Sequence, residues 1–181
     1  MKHILILVLF IAGNLHLLFA QKFRSETGTV SFFSEAPMEN IEAKSEKLAS
    51  ILDCTTGEFA YVLQITSFEF KKSLMQEHFN ENYMESEKFP TSTFKGKIVG
   101  KIDPAKVGIC NVTAEGILTM HGVDQKVSIP AQVYVLKDGT IRVVAEFMVK
   151  LVDYKIKIPK AVIENLAEEI KVKVNILYPK P

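Results

Sequence analysis

Residues 125–151 read QKVSIPAQVYVLKDGTIRVVAEFMVKL, and their pattern decides the fold class. Val127, Ile129, Ala131, Val133 and Val135 recur at every second position. After Lys137-Asp138-Gly139 the alternation resumes with Ile141, Val143, Ala145, Phe147, Val149 and Leu151. Successive side chains of a strand point to opposite faces, so each run presents one apolar face. Asp-Gly supplies the positive φ angles that a tight hairpin turn needs. The stretch therefore reads as two long antiparallel strands joined by a turn. Pro130 has no N–H to give a ladder, which places it at an edge, a bulge or a wet ladder position.

The same period extends in both directions. In residues 91–102, Ser92, Phe94, Gly96, Ile98, Gly100 and Ile102 alternate with a face carrying Lys95, Lys97 and Lys101. Residues 107–121 set Ala114, Gly116, Leu118 and Met120 on one face, before a turn at His121-Gly122. Near the end, Ile170, Val172, Val174 and Ile176 face in and Lys171, Lys173 and Asn175 face out. Residues 22–34 read as two strand-like pieces around a turn signal at Glu26-Thr27-Gly28, stopped by Pro37. Residues 41–44 are a short strand or a crossover. Residues 46–53 read as a strand, because Leu48, Ser50 and Leu52 alternate and Thr55-Thr56-Gly57 turns the chain at once. In residues 58–70, Phe59, Tyr61, Leu63 and Ile65 share one face and Ala60 and Val62 the other. Apolar residues on both faces predict apolar contact on each side.

Residues 74–94, LMQEHFNENYMESEKFPTSTF, interrupt the strands. A short helix carries Leu74, Met75, His78, Phe79, Tyr83 and Met84, and Phe89-Pro90 breaks the chain before the next strand. KAVIENLAE at 160–168 can form a second short helix. Strands are not alternated with long helices, which argues against a parallel α/β fold. The expectation is an all-β, antiparallel up-and-down barrel of about eight strands with one or two short helices. A two-sheet sandwich is the competing architecture, but strands of ten or more residues exceed its usual length. A barrel of about eight strands is filled by its own side chains or holds one small ligand.

Residues 1–20 stand apart from this domain. Lys2 and His3 precede an apolar run that ends at Ala20, which fits a secretory signal peptide. The apolar stretch, about 17 residues, falls short of the roughly 20 that span a bilayer. The mature chain would then be residues 21–181, with no stable membrane insertion, in the periplasm or secreted. Its removal takes one base and no acid, leaving 21 basic and 21 acidic residues. A chain of zero net charge exerts no long-range pull on nucleic acid or anionic membrane. Cys54 and Cys110 could pair in an oxidising compartment, but a fold of this size needs no bridge, so two free thiols are expected. No feature speaks to oligomeric state.

Reaction chemistry finds little support. His78 and His121 are the mature chain's two histidines, 43 positions apart. No HExxH, paired-cysteine or Asp-rich calcium spacing occurs, so no metal or cofactor is expected. No GxSxG elbow or phosphate-binding glycine loop is present, and neither cysteine has a basic sequence neighbour. What remains is an aromatic excess near the interruption: Phe68, Phe70, Phe79, Tyr83, Phe89 and Phe94. These either plug the core or line the mouth of an apolar cavity.

MQEHFNENYMESEKFPTSTF at 75–94 resembles the signature region of the YceI-like family, through His78, Phe89, Pro90, Thr93 and Phe94. GILTMHGVDQKVSIPA at 116–131 is similar to a second family block, through Gly116, Leu118, Thr119, Gly122, Val123 and Val127. The resemblance covers roughly residues 25–178. It implies a lipocalin-like periplasmic barrel that holds a polyisoprenoid lipid, such as a quinone tail, and is not an enzyme. On that reading Phe59, Tyr61, Leu63, Phe68, Phe79, Tyr83 and Phe94 are expected to contact an apolar, quinone-like ligand. The alternatives are a filled structural or stress-related barrel without ligand, and an enzyme using His78 with a nearby carboxylate.

Overall fold

The structure, a computed structural model, describes residues 22–35, 40–157 and 167–181. Nine strands form: β1 (Lys22–Ser34), β2 (Ile41–Asp53), β3 (Glu58–Gln64), β4 (Glu69–Phe70), β5 (Thr91–Val99), β6 (Gly108–Met120), β7 (Val123–Val135), β8 (Ile141–Lys150) and β9 (Glu169–Tyr178). Each strand but β4 pairs antiparallel with its neighbour in the chain, and β9 pairs back onto β1. Eight strands thus close into an up-and-down barrel. The two-residue β4 pairs with β2 at Ala43 and Lys44, continuing the line that β3 leaves. The whole length of β6 pairs with β7, from Gly108–Val135 to Met120–Val123.

Three sequence expectations change here. Lys22–Ser34 is one strand rather than two. The register slips between Ser25 and Gly28, so the Glu26-Thr27 step is a bulge and not a turn. A bulge bends one strand without ending it, and the polar pair that looked like a turn simply faces outward. Residues 58–70 are likewise not one strand. After Gln64 the chain makes a 3-10 turn over Ile65–Ser67 before β4. Ser45 holds that turn, its hydroxyl 2.7 Å from that of Ser67, which donates in turn to the Gln64 carbonyl. Finally, Val62 on the second face of β3 is exposed. Only one face of β3 turns inward, because a closed barrel has one interior.

The expected signal peptide, Pro37 and nearly all of the second helix (160–168) lie outside the described residues. The first helix is present as α1 (Ser73–His78), which runs on into a π-type turn over Phe79–Tyr83. The wider loop closes with the Met84 N–H donating to the Phe79 carbonyl at 2.9 Å. Pro130 marks where β7 leaves β8: their ladder runs only from Ala131–Ala145 to Val135–Ile141. The first half of β7 is paired on the β6 side alone.

The two barrel ends differ. At one end lie the tight turns 54–57 and 136–140 and the start of β1. Buried side chains pack it solid, with Leu52, Val133, Ile141, Ile176 and Tyr178 nearly or wholly inaccessible. At the other end α1 and its π turn form a lid over the barrel. A second buried cluster around Ile65, Met84, Leu151 and Tyr154 joins this lid to the 3-10 turn Leu151–Tyr154 after β8. Between β5 and β6 the wall itself is tight. A Cβ on Gly96 would sit 2.0 Å from the Glu115 carbonyl oxygen, and one on Gly116 would sit 2.2 Å from that of Lys95.

Candidate functional site

Above the packed end, the barrel encloses a cavity of about 610 Å³. It falls inside the ~300–1,000 Å³ range of small-molecule sites. At about 30 Å³ per small group it has room for on the order of twenty carbon-sized groups. The walls come from the period-two faces: Ala114, Ile129, Ala131, Val143, Ala145 and Val174 are among them. Small residues there leave the space that larger ones fill at the packed end. The interior is therefore neither wholly filled nor wholly hollow.

Of the seven residues expected to contact ligand, six line this cavity: Tyr61, Leu63, Phe68, Phe79, Tyr83 and Phe94. Phe59 does not line it. It is buried one step deeper on β3 and backs two that do, with ring centroids 4.9 Å from Tyr61 and 4.8 Å from Phe94. Nearer the lid a second aromatic group forms, in which Phe79 lies 5.6 Å from Phe32, 5.4 Å from Phe68 and 5.0 Å from Phe70. The lid helix is thus fastened to the wall through Phe79. Sequence reasoning placed Phe147, Val172 and Val174 on apolar faces without marking them as lining. Periodicity identifies an inward face, but not whether a partner fills the space in front of it.

Polar groups are few on these walls. Lys72 and His78 lie at the lid end and are exposed, next to the exposed Leu74. The His78 side chain makes no hydrogen bond among the described residues, and its neighbours Glu77 and Glu81 are exposed. The His78–carboxylate pairing that the alternative enzymatic reading requires is not formed among the described residues. Among the described residues no three His, Cys, Asp or Glu side chains converge as metal ligands.

The other histidine does more than decorate its turn. His121, at φ 51°, places Nδ1 3.0 Å from the Tyr154 carbonyl and Nε2 2.8 Å from a Glu85 carboxylate oxygen. Phe89 lies edge-on to it at 4.7 Å and covers Gly122 so closely that a Cβ there would meet the ring at 2.4 Å. The Phe89-Pro90 pair and the His121-Gly122 turn are one contact between the two sequence blocks singled out above.

Cys54 and Cys110 are free and half-buried. Burial pushes the Cys54 thiol up to about 12, with Asp53 and Cys110 adding to the effect. Such thiols are poor nucleophiles.

An eight-stranded antiparallel barrel, packed at one end and hollow beneath a lid at the other, defines a lipocalin-like fold. The family model of the YceI-like domain matches residues 14–178, and the chain belongs to that family. No curated protein sequence matched the chain. Among solved structures it is similar to a polyisoprenoid binding domain from Saccharophagus degradans implicated in plant cell wall breakdown. That match has a TM-score of 0.73 at 17% identity, over 90% of this chain and 99% of the other. BcnA of Burkholderia cenocepacia matches with a TM-score of 0.69 at 16% identity, over 83% of this chain and 95% of its own. The YceI protein of Campylobacter jejuni matches with a TM-score of 0.62 at 18% identity, over 81% and 90%. At such identities these likenesses speak for the fold alone.

Proposed function

We propose that this protein is an exported, non-catalytic carrier that holds an apolar, isoprenoid-type lipid inside its barrel. The carrying observation is the 610 Å³ cavity, walled almost entirely by apolar and aromatic side chains. Each CH₂ moved from water into such a space contributes about 0.8 kcal/mol, so a branched hydrocarbon tail binds with little polar recognition. The polyisoprenoid-binding description of the Saccharophagus degradans domain supports the same ligand class. Tyr61, Leu63, Phe68, Phe79, Tyr83 and Phe94 would touch the chain, and Phe59 would support it from behind. Export rests on residues 1–20, whose apolar run follows Lys2 and ends at Ala20.

Purified protein from its native source, extracted under denaturing conditions, tests this reading by mass spectrometry. The expected result is a near-stoichiometric isoprenoid lipid, with the protein found in the exported fraction and beginning near residue 21. Protein that yields no lipid from its native source would sink the idea.

A further inference from the structure

The barrel wall is not hydrogen-bonded evenly. All ten residues of β8 pair with β9, but only five pair with β7. Toward the lid, the ladder between β7 and β8 stops at the Ala131–Ala145 pair, next to Pro130, which has no N–H to offer. Residues 123–130 then pair with β6 alone, and residues 147–150 with β9 alone. Both lips of this seam face the cavity: Ile129 lines it from β7, and Phe147 and Val149 line it from β8. Residues 151–156 close the lid end of the seam. Leu151 and Ile156 are buried there and line the cavity, and the Ile156 N–H donates to the Leu151 carbonyl at 3.1 Å. Two side chains tie this turn to β7 and to the residue before it. The Gln125 amide donates to the Asp153 carbonyl at 2.7 Å, and His121 reaches the Tyr154 carbonyl at 3.0 Å. Met148 and Val152 stand exposed on the outer side.

We propose that the lipid enters and leaves sideways through this seam, between β7 and β8, while the α1 lid stays shut. The inference rests on the lipid-carrier reading above. Lifting the lid strips Phe79 from Phe32, Phe68 and Phe70 and draws Met84 out of its buried cluster. Apolar surface returned to water opposes that motion. Parting the lips of the seam breaks no strand ladder. It releases the side-chain hydrogen bonds that tie β7 to the 3-10 turn, and such bonds exchange for bonds to water at small net cost. A tail passing there meets Met148 and Val152 outside and Phe147 and Val149 within, so it keeps apolar contact along its way.

The test follows the release of bound geranylgeraniol into phosphatidylcholine vesicles. Gln125→Ala, which unties β7 from the 3-10 turn, should speed release about fivefold. Glu85→Ala, which unties the lid from His121, should leave it unchanged. A cross-link then closes the seam. Ser128→Cys and Met148→Cys, both exposed on the outer face, are joined by a thiol-cleavable bismaleimide in a chain carrying Cys54→Ala and Cys110→Ala. Release should slow about tenfold or more and recover when the linker is cut. The same linker between Lys97→Cys and Glu115→Cys, partners in the continuous β5–β6 ladder, should change nothing. The lateral route is overturned if the seam cross-link leaves release unchanged, or if the β5–β6 cross-link slows it equally. It is overturned as well if Glu85→Ala speeds release as Gln125→Ala does, because the lipid then leaves under the lid. Protein that takes up no geranylgeraniol at all overturns the carrier reading itself, and the route with it.

Discussion

His121 Nε2 lies 2.8 Å from a carboxylate oxygen of Glu85, which joins the β6–β7 turn to the end of the lid. The same ring reaches the Tyr154 carbonyl at 3.0 Å, so one side chain ties three segments together. Both partners are acceptors, and a ring with protons on both nitrogens serves both at once. Replacing His121 with Ala strands a backbone carbonyl and releases the lid. The expected loss is about 1–2 kcal/mol. Hydrogen exchange of amides in residues 73–90 should accelerate roughly tenfold, while the β6–β7 ladder stays protected. Equal acceleration in both regions would mean that His121 supports the whole barrel and not the lid.

Gly96 and Gly116 face each other across β5 and β6. Each Cβ would press on backbone rather than on a yielding side chain. Gly96→Ala should therefore cost about 3 kcal/mol or more, by forcing the two strands apart at the tightest point of the wall. Circular dichroism and chemical denaturation would measure this. A variant as stable as wild type would show that the wall can relax there.

Ala145 lines the cavity on β8, in register with Ala131 and Val174, which line it too. Ala145→Leu extends into open space. Stability should rise by up to about 2 kcal/mol as the added carbons leave water. The lipid recovered per protein should fall, because the same space is taken. Unchanged lipid content with raised stability would separate the cavity from the ligand.

Alkaline pH should destabilise this barrel through two buried acids. Burial pushes Tyr178 up to about 12 from 10.0 and Cys54 up to about 12 from 9.0. Both groups stay protonated longer when folded than when unfolded. The stability tied to Cys54 is whole below pH 9 and that tied to Tyr178 whole below pH 10, and both are lost as pH rises toward 12. Urea unfolding at stepped pH should show midpoints that fall across this window. Tyr178→Phe should flatten the upper part of the fall, and Cys54→Ala the lower.

The segment 74–94 shows how much of the site was legible beforehand. Its helix, its Phe89-Pro90 break and its position between strands are local matters, governed by side-chain spacing and by proline's missing N–H. That Phe79 fastens to Phe32 was not legible, since the two are far apart in sequence and meet only once β4 has paired with β2 and β2 with β1. The bulge at Glu26-Thr27 was misread as a turn because both use the same polar residues. Only the strand that continues beyond tells them apart.

The sequence by itself determined most of the strands, the apolar faces they carry and, through strand length and number, the barrel. Each of these follows from a period-two pattern that a closed antiparallel sheet must satisfy. The tertiary structure decided what the interior contains. Leu52, Val133, Ile141 and Tyr178 close one end, whereas Ala114, Ala131 and Ala145 leave the other hollow. An inward apolar residue reads the same in sequence whether it fills a core or borders a void. The difference depends on the sizes of side chains that face it across the barrel, and chain order does not set those neighbours until the barrel closes.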